Sequence, residues 1–265
     1  MSGEVLNDAL RLLSPHLWSV ALCSARLLPV VFLCPLLGGA LAPSFVKLAL
    51  VLSLASCLHL GGGVGLDPAL AQGVFTLTAA LFRELLLGLS IGLLASLPFD
   101  AARMGGTFAD LFRGSSAEAA LPFAGSREAA SGDFLYQLML ALAISGLGLP
   151  VVLSALWKSF QLMELGQFVP TEAGALHVIH WAMATVGTAL AVGAPVAGAA
   201  LAVDLLLGMV SRYAPQVNLQ DSGAPLRLLA GGAVLWLSVG LLSERLLGFL
   251  GDVEGSVAVF LERAF

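Results

Sequence analysis

Six apolar segments, at about residues 17–37, 41–60, 73–97, 134–153, 175–207 and 228–250, take up most of this 265-residue chain. Each approaches or exceeds the roughly 20 residues that cross a bilayer as a helix. In lipid an unpaired backbone N–H or C=O finds no water, so such segments must be helical. The composition agrees: 58% of residues are hydrophobic and 11% are charged, against roughly 25% charged residues in a soluble domain. The expected fold is all-α, a polytopic membrane protein of about six long apolar helical segments, with broken helices and hairpins. No interval between them is long enough for a water-soluble core, so residues 1–265 read as a single membrane-embedded unit.

The net charge of −5 is thinly spread. It forms neither the basic stripe that nucleic acid requires nor the juxtamembrane Lys/Arg cluster of a lipid-surface switch. Cys23, Cys34 and Cys57 lie in or beside apolar runs without a CxxC pair or a histidine at ligand spacing, and read as buried structural thiols. "LASC", ending at Cys57, looks like a lipoprotein cleavage box, but it follows an earlier membrane-length run rather than a short charged start. "MSGEVLNDALRLL" carries two acids and one Arg and leads into a run too long for a cleavable signal core. No P-loop, nucleophile elbow, HExxH or dinucleotide fingerprint occurs. The expectation is no catalytic, cofactor-binding or metal-binding residue, and no enzyme.

Break signals divide the chain further. "LGGALAP", with Gly38, Gly39 and Pro43, reads as a tight turn of a helical hairpin. "VGAP", ending at Pro195, should bend or break the fifth segment. The longest polar interval, 98–133, mixes Gly and Ala with Asp100, Arg103, Asp110, Arg113 and Arg127. It reads as a packed or re-entrant segment, or more simply as a surface loop. One face would carry Lys47, Arg103, Arg113, Arg127, Arg212 and Arg227, and the other Arg11, Lys158 and Arg263, with Arg245 near the end of the last segment. The positive-inside rule places the first face in the cytoplasm.

Within the third segment Arg83 and Glu84 sit near mid-membrane, where each charge costs about 2.5–3.5 kcal/mol on translocon scales. Glu84, Gly88 and Gly92 follow one another at i, i+4, i+8 and share a helix face suited to close approach of another helix. A proton-relay acid and a structural ion pair or hydrogen bond between helices are both open. Asp204, deep in the fifth segment, reads as a second buried acid. His177 and His180 share a helix face beside Trp181. Two imidazoles without further ligands suit an interfacial belt better than a metal site.

The stretch "APVAGAALAVDLLLGMVSRYAPQVNLQDSGAPLR" carries Pro195, Asp204, Gly208, Arg212, Pro215, Gln216, Asn218, Pro225 and Arg227 in an order and spacing that closely resembles the C-terminal signature of the FliR/SctT family of type III secretion export-gate subunits. "FRELLLGLSIGL", followed by Pro98, "MGG" and "DLFRG", resembles a second family segment, and "SALWKSFQLMELG" a third. The resemblance covers most of the chain from about 73 to 230. Leu219 and Gln220 stand where the family often has Phe after the Asn, and Arg227 where it ends in Lys; "SGLGLP" replaces a Gly-Gly-His motif. The "DLFRG" form favours the injectisome branch over the flagellar one.

This resemblance implies a non-enzymatic subunit of a protein-conducting gate in the bacterial inner membrane. Its partners would be several copies of two smaller membrane subunits (SctR/FliP-like and SctS/FliQ-like), a switch subunit (SctU/FlhB-like) and unfolded secreted proteins in transit. Glu84 and Asp204 would then meet partner subunits rather than lipid. The interval 98–133 would hold a plug, with Met104, Gly105, Gly106, Phe108, Asp110, Phe112, Arg113, Gly114 and Phe123 as its candidate residues and the apolar side chains sealing the channel. Residues 208–227 would be a rigid partner-contact loop, its prolines restricting the backbone and Arg212 and Asn218 supplying hydrogen bonds. The competing class is a proton-coupled secondary transporter working through Glu84, Asp204 or the histidine pair.

Overall fold

The computed structural model describes residues 2–39, 42–65, 73–114, 118–119, 128–146, 148–213 and 223–264, with side chains described from residue 15 onward and outside the short ribbon. Eight helices follow in order among these residues: α1 (Ser2–Leu33), α2 (Ser44–Gly62), α3 (Val74–Arg113), α4 (Ala130–Ser145), α5 (Gly148–Leu162), α6 (Glu172–Tyr213), α7 (Gly223–Gly251) and α8 (Val253–Arg263). A two-residue antiparallel ribbon pairs Glu118 with Ala129 and Ala119 with Glu128. Five stretches are long and apolar enough to cross a membrane, and α4 with α5 makes a sixth if that broken pair counts as one span. The protein is an all-α, polytopic membrane protein.

The hairpin between α1 and α2 forms where the sequence places it. Gly39 adopts φ 47°, and a Cβ there would stand 2.9 Å from Pro35 Cα, so glycine alone fits the turn. Pro43 leads extended into α2, and α2 ends at Gly63 in the left-handed region, its N–H returning to Leu58 O. Three other boundaries differ from expectation. The polar interval 98–133 opens as helix: α3 runs through Pro98 to Arg113 and stops at Gly114, φ 67°. Alanine, arginine and leucine in "DAARMGGTFADLFR" favour helix, and close packing compensates its glycines. The "VGAP" break is absent, because α6 continues through Pro195; apolar bundles tolerate interior prolines where neighbours satisfy the freed carbonyl. The 134–153 run is not one unbroken helix: Gly146 leaves the helix at φ −110°, ψ −139°, and Pro150 sits in the first turn of α5, where its missing N–H costs no bond.

The single unit expected from composition is organised as two compact units, each assembled from separated stretches. The first comprises Met1–Ser96, Leu149–Trp181 and Asp252–Phe265. Its core contains Leu22, Leu27, Val30, Leu87, Ile91, Leu94, Met163 and Leu261. The second comprises Leu97–Gly148 and Ala182–Gly251, with Phe99, Ala102, Leu135, Met139, Val192, Leu235 and Leu246 in its core. Within the first unit α8 is tied down by Lys158–Glu254, by Thr171 Oγ1 donating to Arg263 O at 2.7 Å and by Phe168 against Phe260.

Candidate functional site

Glu84 and Arg26 both have fully buried side chains. Arg26, in the last third of α1, donates from Nε to Glu84 Oε2 at 2.5 Å and from Nη2 to Oε1 at 3.1 Å. Its remaining donors reach the end of α5, Nη1 to Ser159 O at 2.8 Å and Nη2 to Met163 O at 3.1 Å. Ser159 O also accepts the Met163 N–H at 3.2 Å, and a cation at a helix C-terminus meets the negative end of the macrodipole. Glu84 Oε1 also accepts the Gly166 N–H at 2.7 Å, and the Phe160 ring lies 4.3 Å from the guanidinium carbon. Two charges too costly to bury alone are thus paired through a bidentate fork and hydrogen-bonded at every polar atom.

Gly88 and Gly92 make this pairing possible. They lie on the Glu84 face of α3, buried against α1. A Cβ at Gly88 would collide with the Arg26 carbonyl, and one at Gly92 would stand 3.0 Å from Val30 Cα. The two backbones therefore touch, which brings Arg26 level with Glu84. Arg83 points to another face and is exposed; its Nη1 donates to Gly166 O at 3.2 Å. Glu84, Gly88 and Gly92 thus meet α1 of the same chain. Arg26, which supplies the countercharge, was missed by the sequence reading. The signal was available: a lone Arg in the first apolar run meets the same cost argument that singled out Glu84.

The candidate plug residues Met104, Gly105, Gly106, Phe108, Asp110, Phe112, Arg113 and Gly114 are not in a loop; they form the last turns of α3 and its glycine stop. A Cβ at Gly105 would stand 2.6 Å from Val192 Cγ1 on α6, and one at Gly106 would strike the Ser131 carbonyl at the start of α4. Asp110 Oδ2 accepts the Ser131 N–H at 2.8 Å, so a carboxylate on α3 serves the exposed N–H groups of α4. Arg113 Nη2 completes the cluster, bonding Asp110 Oδ1 and Ser131 Oγ. Phe108 packs its Cβ toward Gly193, Phe112 is 43% exposed, and Phe123 lies outside the described residues.

The 208–227 segment is also more helical than expected. Gly208 and Arg212 are exposed in the last turns of α6, Pro225 and Arg227 occupy the first turns of α7, and Pro215, Gln216 and Asn218 lie outside the described residues. Asp204 is not buried in this chain: its side chain is 46% exposed and faces Arg227 Nε at 2.9 Å, an ion pair joining α6 to α7. The histidine pair divides, with His177 Nε2 3.0 Å from Ser256 O and Oγ and His180 exposed. Cys23 and Cys34 are buried as expected, whereas Cys57 is exposed on α2. Lys47, Arg103 and Arg113 are all on helices; Lys47 lies over the Phe32 ring and Arg103 over Tyr136. Among the described residues no group of three or more His, Cys, Asp or Glu could hold a metal ion.

Residues 17–252 match the family described as bacterial export proteins, family 1. The flagellar biosynthetic protein FliR of Bacillus subtilis (strain 168) is 32% identical over 151 residues, 56% of this chain and 58% of that protein. The Yop proteins translocation protein T of Yersinia pestis is 29% identical over 195 residues, 72% of each chain. The surface presentation of antigens protein SpaR of Shigella sonnei is 25% identical over 195 residues, 73% of this chain and 74% of that protein. Flagellar and non-flagellar names occur side by side, so the similarity does not decide for the injectisome branch. The chain belongs to the bacterial export proteins, family 1, the FliR/SctT family of polytopic membrane proteins.

Proposed function

We propose that the protein is a non-enzymatic subunit of a type III secretion export gate in the bacterial inner membrane, helping to form and close a channel for unfolded secreted proteins. The family match over residues 17–252 carries this reading. The buried charges support it over a proton-coupled transporter. A carrier acid must be reached by water and lose its countercharge during the cycle, whereas both Glu84 oxygens are engaged by Arg26 and Gly166. Gate partners of the SctR/FliP-like, SctS/FliQ-like and SctU/FlhB-like kinds would cover apolar surface such as Leu205, Leu206 and Met209 on α6 and Trp236, Leu237 and Leu241 on α7, all more than half exposed in the single chain. The family signature at Gly208, Arg212 and Pro225 adjoins this surface.

Affinity purification in mild detergent followed by native mass measurement tests the reading. One copy of this chain with multiple copies of two smaller apolar subunits is expected; recovery alone or as a homo-oligomer would favour the transporter. The plug interval 98–133 begins as packed helix through Arg113, so its closing role is tested on residues 115–127, most of which lie outside the described residues. The Asp110–Arg113–Ser131 cluster ties the two stems of this segment. Deleting 115–127 should make the assembled complex leak small ions by at least about tenfold while retaining its mass, because a narrow apolar constriction is what keeps ions out. Unchanged conductance in an intact complex would remove the plug role.

A further inference from the structure

The two histidines left unused above are His16 and His59, which meet at one end of the α1–α2 hairpin. His16 stands at the start of the apolar part of α1 and His59 in the last turn of α2. Both are about 15–17 residues, or roughly 25 Å of helix, from the connecting turn. His16 Nδ1 lies 2.9 Å from His59 Nε2, with ring centroids 5.2 Å apart and planes at 63°. His59 Nδ1 lies 2.7 Å from Val64 O. A carbonyl only accepts, so His59 Nδ1 carries the proton, and in the neutral ring Nε2 presents its lone pair toward His16. A backbone carbonyl holding one imidazole nitrogen while the other faces outward is the arrangement that orients metal-ligating histidines.

We propose that His16 Nδ1 and His59 Nε2 form a two-imidazole site for a borderline divalent transition ion such as Zn²⁺, Ni²⁺ or Cu²⁺. Water completes the coordination, and the ion clamps the open end of the α1–α2 hairpin. Bonds of about 2.0–2.1 Å in tetrahedral geometry set two ligating nitrogens about 3.3–3.4 Å apart. The rings must therefore separate by about 0.4–0.5 Å relative to the hydrogen-bonded pair. His16 is exposed and His59 partly so, which leaves room for that movement and a route for the hydrated ion. The His16 proton moves from Nδ1 to Nε2 by exchange with water, so binding changes tautomer without net proton release. The negative end of the α2 dipole beside His59 favours the cation. No third His, Cys, Asp or Glu joins the pair among the described residues, so water must supply every other ligand and the affinity is modest.

The test uses the full chain in detergent with a histidine-free affinity handle, titrated calorimetrically with Zn²⁺, Ni²⁺ and Cu²⁺ separately. One ion per chain is expected for at least one of these metals. That stoichiometry should be lost in both His16→Ala and His59→Ala and retained in His180→Ala. A rise in thermal midpoint on adding the same ion should vanish with it, and folding of the variants is checked by their metal-free midpoints. Absence of binding by the parent chain would leave a hydrogen-bonded pair only. Binding that persists in the His16→Ala/His59→Ala double variant would place the ion elsewhere. Either result overturns the proposal.

Discussion

Replacing Arg26 by Met should destabilise the protein more than any other single loss of charge, by about 3–5 kcal/mol, because it leaves the Glu84 carboxylate buried without its countercharge. Both side chains are fully buried, so water cannot take over, and the carbonyls of Ser159 and Met163 each lose the Arg26 bond as well, Ser159 O keeping only the Met163 N–H. Glu84→Gln should be comparably harmful: it keeps the shape but strands the guanidinium. The double variant Arg26→Met/Glu84→Leu removes both charges and should recover part of the loss. Recovery stops short of the parent because the Gly166 N–H loses Glu84 and Met163 O loses Arg26, at about 1–3 kcal/mol for each group left buried and unpaired. A double-mutant cycle read by thermal midpoint in detergent should therefore show strong positive coupling. Arg83→Met serves as the reference, since Arg83 is exposed and surface changes usually stay within about 0.5 kcal/mol. An Arg26→Met protein as stable as its parent would overturn this account. The same cycle separates the two functional classes: a transporter acid replaced by Gln should lose transport at full stability, whereas a keystone replaced by Gln should lose stability first.

How much of this site was legible in the sequence depends on the kind of signal. Helix existence followed from apolar length, because lipid forces backbone pairing within the segment. The Glu84–Gly88–Gly92 face followed from spacing, since positions four apart must lie together on a helix. The identity of the approaching helix did not follow, because periodicity describes one element and says nothing of which other element comes near. The polarity of 98–113 was ambiguous for a related reason. Asp110 and Arg113 fitted a packed segment and a surface loop equally by sequence, and they form a bonded cluster with Ser131. A charge in sequence is ambiguous between water and a partner until the partner's position is known. Asp204 misled: deep placement in an apolar run suggested burial, and the chain instead leaves it half-exposed beside Arg227. The prolines at 98 and 195 were weaker breakers than their propensity in water suggests, because that scale is measured where the freed carbonyl has no packed neighbour.

Adding a single methyl group at Gly88 or Gly106 should cost about 1–3 kcal/mol or more, although alanine is the better helix former at both positions by about 1 kcal/mol. Propensity and packing oppose each other here, and what the new Cβ meets decides between them. At Gly88 it meets the Arg26 carbonyl, and at Gly106 the backbone of Ser131 and Gly132. Both are main chain, so no flexible side chain can swing aside and a helix must move. In Gly88→Ala the displaced helix is α1, which draws Arg26 away from Glu84 and compounds the clash with a weakened ion pair. In Gly106→Ala it is the start of α4, which lengthens the Asp110–Ser131 bond. Gly198→Ala is the control, because nothing lies within 4 Å of a Cβ there and the propensity gain should show as neutral or slightly higher stability. Thermal midpoints in detergent should therefore fall for Gly88→Ala and Gly106→Ala and not for Gly198→Ala. Gly106 also weighs packed helix against mobile plug. A glycine used for loop mobility would accept alanine with unchanged stability and altered ion leakage; a glycine used for backbone contact loses stability. The second outcome is expected, because the contact at Gly106 is between two backbones.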